Sequence, residues 1–227
     1  MRITAWPQAS GGEEYAVAID RGREHRLLVI PALFDEANKT RHLMVETMRR
    51  LDGSGIDSFL PDLPGWNESL APLQEQTLTD WRDAAQAAAT YFRATHVLTV
   101  RAGAILAPPT LPGWRYAPTS GAGTLRALLR GRVISAREAG RNETSESLLQ
   151  TGQVNGLELA GYQLGPQMIA DLEAAHLQDS GRLSDISQGI VGGGGPWLRA
   201  EPDFDAAQAD ALAAALAMSL GGAVEQP

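Results

Sequence analysis

The chain has 227 residues, of which 44% are hydrophobic, so it is long enough and apolar enough to bury a sizeable core. Its 19 basic and 27 acidic side chains give a net charge of −8, which argues against binding to nucleic-acid phosphates. The absence of cysteine excludes disulfides, thiolate metal sites and a cysteine nucleophile. The N-terminus lacks the apolar stretch of a signal peptide, and no apolar run approaches the roughly 20 residues of a membrane span. We therefore expect a cytoplasmic protein without a membrane span.

Apolar runs of strand length alternate with helical patterns in the first half of the chain. The polar turn between the strands predicted at 15–19 and 27–30 favours their pairing as an antiparallel edge. The pattern then predicts a helix at 38–51, a strand at 56–60, a helix at 79–91 and a strand at 96–100. This alternation is typical of an α/β fold, with a mostly parallel central sheet and helices on both faces.

The second half is less regular. The pattern indicates a strand at 114–118, two helical stretches within 123–150 and an extended piece at 157–162. Pro166 opens a helix, because proline suits the first helical position, and a last helix begins near Asp205. We predict a single domain over residues 1–227, with a small helical cap inserted at about 120–156.

Three short stretches resemble one known family. They lie at residues 31–41, 60–65 and 159–166 and read PALFDEANKTR, LPDLPG and LAGYQLGP. The chain resembles the exosortase A system-associated hydrolases of the hydrolase 2 group. The resemblance implies an α/β-hydrolase fold and a bacterial protein encoded near exopolysaccharide or exosortase genes. Against that fold, residues 177–192 are too few for a strand, a helix and a second strand, so we expect a shortened C-terminal part.

The catalytic parts of an α/β-hydrolase are not matched. The fold carries its nucleophile on a Gly-x-Ser-x-Gly turn after a central strand. Here the turn over 99–103 reads TVRAG and places Arg101 at the nucleophile position, where a permanently protonated guanidinium cannot attack a carbonyl. No histidine follows His176, residues 194–197 read GGPW where the base would stand, and Asp185 is the one candidate acid. We therefore expect no Ser-His-Asp catalysis.

Two interpretations of Arg101 stay open. It is either an anion clamp at the carboxyl ends of parallel strands, where open α/β sheets bind ligands, or a structural cation paired with Glu36 or Asp62. The loops after the neighbouring strands supply the other candidate ligand-binding residues, which are Glu36, Asn38, Lys39, Arg41 and Asp62, with the backbone N–H groups of Ala32 and Leu33. The alternatives for these loops are a solvated helix start capped by Asn38 and a turn closed by Asp62.

Other motifs predict no cofactor and no metal. The run Gly192–Gly195 lacks the following Gly-Lys-Ser/Thr of a phosphate loop, and Ser120 has no histidine placed to activate it. No group of acidic and histidine residues has the spacing of metal ligands. The favoured function is a non-catalytic protein that binds a small anionic ligand in the former active-site cleft. Two alternatives stay open: an enzyme that uses Glu36, Asp62 or Lys39 as acid or base, and a structural partner of an exopolysaccharide or protein-sorting complex.

Overall fold

The computed structural model describes residues 1–8, 11–177 and 181–221. The strands are β1 (Arg2–Pro7), β2 (Glu13–Ile19), β3 (Arg26–Ile30), β4 (Asp57–Pro61), β5 (His96–Val100), β6 (Gly113–Tyr116), β7 (Leu157–Leu159), β8 (Tyr162–Leu164) and β9 (Leu183–Ile186). The helices are α1 (Asp35–Gly53), α2 (Leu78–Tyr91), α3 (Gly121–Glu138), α4 (Ser145–Asn155), α5 (Pro166–Ala174), α6 (Gln188–Val191) and α7 (Ala206–Gly221). Short 3₁₀ segments lie at Leu73–Glu75, Arg101–Leu106 and Pro196–Leu198.

Within the described residues the central sheet has seven strands, in the order β1-β2-β4-β3-β5-β6-β9. The strands from β4 through β3, β5 and β6 to β9 are all parallel. β2 is antiparallel both to β4 and to the edge strand β1. The predicted α/β fold with a mostly parallel sheet is confirmed, and β3 lies between β4 and β5.

Two apolar layers hold the helices against the sheet. One layer joins α1 and α7 to residues such as Val29 and Leu98, and the other joins α2, α3 and α5 to residues such as Leu28 and Val97. Successive side chains of β3 and β5 therefore enter opposite layers, as the alternation of a strand requires. Strands buried on both faces are continuously apolar, which explains the pattern of β3 and β5.

The predicted antiparallel edge pair of 15–19 with 27–30 is wrong. β4 lies between these two strands, and β2 pairs on its other side with β1, a strand that the sequence pattern did not reveal. The physical reason is that Leu27–Ile30 are all fully buried and fill both apolar layers, which only a central strand can do. The edge role falls to β1, whose residues are mostly exposed or half-buried.

The C-terminal part follows a short path. Among the described residues no strand follows β9, and the chain continues through α6 and the glycine run at 192–195 to α7. This agrees with the expectation of a shortened C-terminal part. Among the described residues, no helix is both long and apolar enough to cross a bilayer.

A helical layer lies between β6 and β9 in the sequence. It contains α3, α4, the antiparallel hairpin of β7 and β8, and α5, on which both α3 and α4 pack. α3 buries Leu125, Leu128 and Leu129, and the hairpin buries Leu159 and Leu164. These side chains join the apolar layer of α2, so the segment is anchored to the body of the protein.

Candidate functional site

The turn after β5 keeps the backbone of a nucleophile elbow. Arg101 has φ of 52°, in the left-handed region that a non-glycine residue adopts only at a cost. A Cβ added to Gly103 would lie 2.3 Å from the carbonyl oxygen of Pro31, so the turn packs directly on the chain that leaves β3. This contact explains why the second glycine of the motif is present although the serine is not.

The Arg101 guanidinium contacts Glu36, Ala117 and Trp197. Its Nε lies 3.0 Å from Glu36 Oε2 and its Nη2 lies 3.3 Å from Glu36 Oε1, which makes a bidentate ion pair. Its Nη1 donates a hydrogen bond of 2.7 Å to the carbonyl oxygen of Ala117, and its Cζ lies 4.3 Å from the centre of the Trp197 ring. Glu36 is one of the two predicted carboxylate partners. An anion could reach the same donors only by displacing it.

The ion pair is largely but not fully buried. The Arg101 and Glu36 side chains are 18% and 15% exposed. Glu36 lies in the first turn of α1, where the helix dipole favours a negative charge. The pair therefore joins the elbow after β5 to the helix that follows β3.

Asn38 does not cap α1, so that interpretation is wrong. The helix begins at Asp35, three residues earlier, and is preceded by Phe34 with φ of 58°. The Nδ2 of Asn38 instead donates to the hydroxyl of Tyr162 at 3.2 Å, which links α1 to β8. The next residue, Lys39, pairs through its Nζ with Asp35 Oδ2 at 2.9 Å, one turn earlier in α1.

Asp62 forms a second, separate cluster. It accepts hydrogen bonds from Asn67 and from Arg41, whose Nη1 lies 3.3 Å from Asp62 Oδ1. It is only 4% exposed, and this burial raises the pKa of its carboxyl group above the ordinary value, against the opposing effect of its partners. The predicted neighbourhood of Arg101, Glu36 and Asp62 is therefore realised for Glu36, while Asp62 is engaged with Arg41.

The structure gives the remaining candidates from the sequence other surroundings than the Arg101 ion pair. Ala32 and Leu33 are fully buried directly after β3, and their role as backbone donors stays a prediction. Ser120 caps α3, since its Oγ accepts a hydrogen bond of 3.0 Å from the backbone N–H of Gly123. Asp185 lies on β9 and pairs at 2.6 Å with Arg115, so it does not contact Arg101.

Trp197 is the main contact that sequence reasoning did not predict. It occupies the 3₁₀ segment after the glycine run, in the region where the base of a hydrolase would stand, and its ring covers the guanidinium of Arg101. A ring edge of Tyr116 packs against the same tryptophan, with centroids 5.7 Å apart. The sequence marked Trp197 only by its place in GGPW, where a hydrolase would carry its base. The path of that loop, which brings the ring to Arg101, follows from no periodic pattern.

A cavity of about 540 Å³ opens beside this ion pair. It lies between the start of α1, the helix α3 and the turn joining β7 to β8. Its charged lining residues are balanced, with Asp35, Glu36 and Glu158 against Lys39, Arg132 and Arg141. Trp197 forms part of the wall. In the part of the chain that the structure describes, no cluster of three or more acidic or histidine side chains could hold a metal ion.

The cavity and the elbow are surrounded by strained backbone. Besides Phe34 and Arg101, Ala117 and Ala160 also have positive φ, at 45° and 51°. Ala117 accepts the hydrogen bond from Arg101, and Ala160 lines the cavity. Strained non-glycine residues cluster at binding and catalytic sites, because the surrounding structure holds them in place. This cluster marks the carboxyl ends of β3, β5 and β6 as the candidate site.

Solved structures assign the fold. The mouse alpha/beta hydrolase domain-containing protein 10 aligns with a TM-score of 0.60 and 11% identity, over 98% of this chain and 100% of that chain. Est1E from Butyrivibrio proteoclasticus, solved with ferulic acid, aligns with a TM-score of 0.50 and 12% identity, over 78% of this chain and 73% of that chain. The chain therefore has the α/β-hydrolase fold.

The likeness to solved structures goes no further than the fold. No family model matches the chain, and no curated protein matches it either. The chain spans about half the length of several other hydrolases that it matches. It covers 44% of epoxide hydrolase A from Mycobacterium thermoresistibile, with 56% of this chain aligned, a TM-score of 0.42 and 17% identity.

Proposed function

We propose that this protein is an α/β-hydrolase-fold member of an exosortase- or exopolysaccharide-associated system that lacks Ser-His-Asp catalysis and binds an anionic ligand in the former active-site cleft. The observation that carries the loss of catalysis is the state of Arg101. It stands at the elbow in the strained conformation, its donors bind Glu36 and Ala117, and Trp197 stands in the region of the base. The association with such a system rests on the sequence resemblance.

The ligand we propose is an acidic saccharide, bound in the cavity beside the ion pair. The balanced charges of the cavity do not suit a dense polyanion such as a polyphosphate. They suit a molecule with one carboxylate and many hydroxyls, because carboxylates accept and guanidinium or ammonium groups donate hydrogen bonds to hydroxyls. Lys39, which pairs with Asp35, and the largely exposed Arg141, which lies 3.5 Å from Glu143, are the lining cations that would bind the ligand carboxylate by exchanging these partners for it. The volume of about 540 Å³ is that of a typical small-molecule site.

Titration with oligosaccharides of glucuronic acid tests the ligand. We expect saturable binding by isothermal calorimetry, weakened about tenfold in Lys39→Gln, since a charge-assisted hydrogen bond contributes roughly 1.5–3 kcal/mol. Arg130→Gln, on the exposed side of α3 and outside the cavity, serves as the matched control and should bind as the wild type does. Equal binding of neutral glucose oligomers would contradict the anionic ligand, and so would full affinity in Lys39→Gln.

Labelling with a fluorophosphonate probe tests the loss of catalysis. No serine should be labelled stoichiometrically, and short-chain esters should not be turned over, because Arg101 replaces the nucleophile and Ser120 is used as a helix cap. A labelled Ser120 or measurable ester hydrolysis by the purified chain would overturn this part of the proposal.

A structural partner protein is the second candidate function. It is favoured by the ion pair of Arg101 with Glu36, which occupies the donors of the elbow, and by exposed apolar side chains on the outer strands, including Ile3 at 73% and Tyr15 at 43% exposure. Absence of both saccharide binding and serine labelling would favour this candidate. The alternative of acid–base catalysis by Glu36, Asp62 or Lys39 is disfavoured, because Glu36 and Lys39 are held in ion pairs and Asp62 is buried.

A further inference from the structure

A second cavity lies at the other end of the sheet. It has a volume of about 430 Å³ and opens beside the amino ends of β3, β4 and β5, whereas Arg101 follows the carboxyl end of β5. The five residues of β5 separate the two places by roughly 15 Å, at about 3.3 Å per residue. The charged lining residues are Arg2, Arg23, Arg26, Arg93 and Asp20, so cations outnumber acids in a protein whose net charge is −8.

Two of these arginines are committed to structural ion pairs. Arg26 Nη1 lies 3.0 Å from both Asp20 and Asp57, and Arg23 Nη1 lies 2.7 Å from Asp52. The other two are not. Within residues 1–8, 11–177 and 181–221, the guanidinium groups of Arg2 and Arg93 have no hydrogen-bond or ion-pair partner. The cavity is therefore lined by two ion-paired arginines, Arg23 and Arg26, and by two arginines without such a partner, Arg2 and Arg93.

Arg93 also has an unusual backbone. It follows Phe92, the C-cap of α2, and has φ of 50°, the left-handed position at which helices commonly end on glycine. An arginine there costs backbone energy that glycine would not, and within the described residues its guanidinium forms no ion pair or hydrogen bond that offsets the cost. A guanidinium kept at a strained position and aimed at a cavity is a feature of a binding site.

The wall beside the arginines is aromatic. Phe59 and Phe92 stack with ring centroids 4.6 Å apart under Arg26, and Tyr91 contributes a ring that is 49% exposed. We propose that this cavity binds a nucleoside diphosphate or a similar small molecule, with its phosphates on Arg2 and Arg93 and its flat ring against Tyr91. Guanidinium forks match phosphate oxygens bidentately, and an exposed aromatic ring stacks on a base.

Calorimetric titration of the full chain with ADP tests the proposal. Wild type should bind with a measurable Kd, and Arg93→Gly and Arg2→Gln should each weaken binding at least tenfold. Arg93→Gly separates binding from folding, because glycine relieves the left-handed strain: its melting temperature should equal or exceed that of wild type. Arg126→Gln, an exposed arginine on α3, is the matched control and should keep full affinity.

Three outcomes would overturn the site. They are no binding of ADP at millimolar concentration, equal affinity in Arg93→Gly and wild type, and an equal loss in Arg126→Gln, which would indicate unspecific attraction. Pyrophosphate serves as the second probe. It should bind more weakly than ADP in wild type and equally to Tyr91→Ala and wild type, whereas pyrophosphate binding as tight as ADP binding would refute the stacked ring. None of these results depends on the saccharide cleft.

Discussion

Replacing Arg101 with alanine is expected to lower the free energy of unfolding by about 3 kcal/mol, because it leaves the Glu36 carboxylate largely buried without a partner. The loss also includes the hydrogen bond to Ala117 and the contact with the Trp197 ring. Urea denaturation followed by circular dichroism measures the change, and the slope with denaturant should stay that of wild type.

A double-mutant cycle identifies the cause of this loss. Glu36→Gln added to Arg101→Ala removes the uncompensated charge, so the double variant should recover part of the lost stability. Arg49→Ala, which breaks an exposed pair within α1, is the control and should have a much smaller effect. If Arg101→Ala were as stable as wild type, the ion pair would be irrelevant to folding and the elbow would be open to solvent.

Replacing Asp57 with alanine should destabilise the protein by about 3–5 kcal/mol, since it breaks a buried ion pair. The Asp57 side chain is 0% exposed and lies at the start of β4. It accepts hydrogen bonds from the backbone N–H groups of Arg21 at 3.0 Å and Arg23 at 2.9 Å, and from Arg26 Nη1 at 3.0 Å. Removing it orphans the backbone donors and leaves Arg26 with Asp20 as its remaining ion-pair partner.

Asp52→Ala is the matched control for Asp57→Ala. Asp52 also pairs with two arginines, but it is more exposed, so its replacement should cost much less than that of Asp57. Thermal unfolding of the two variants under identical buffer conditions makes the comparison. Equal losses of stability in the two variants would mean that burial of the carboxylate does not determine how much each aspartate stabilises the protein.

The central sheet was predictable because its signals are local. The continuous apolar run of Leu27–Ile30 and the turn at 99–103 identify buried strands and an elbow without any knowledge of distant residues. The pairing of the outer strands was not predictable in this way. Whether β2 lies beside β3 or is separated from it by β4 depends on contacts far apart in the sequence, and the turn between the two strands allows either arrangement.

The contacts of the candidate site were predictable where the order of the parallel strands alone brings two residues together. Arg101 and Glu36 both follow neighbouring parallel strands, so their meeting could be expected from the order of elements. Asp62 satisfies the same rule, but its Oδ1 accepts hydrogen bonds from Arg41 and Asn67. The contact of Trp197 depends on a loop after β9 whose path has no periodic pattern. The arginine-lined second cavity joins residues from four separate segments, and no motif links them.

The bidentate pair at the elbow decides what a serine placed at position 101 would require of its surroundings. A serine at position 101 would leave Glu36 without its cation and Trp197 without the group that covers its ring. The tryptophan would still occupy the region of the base, so a histidine would have to replace it in the same lineage. Each single change removes packing or charge balance around the elbow. A serine–histidine pair at this position would therefore require coordinated replacement of Arg101, Glu36 and Trp197.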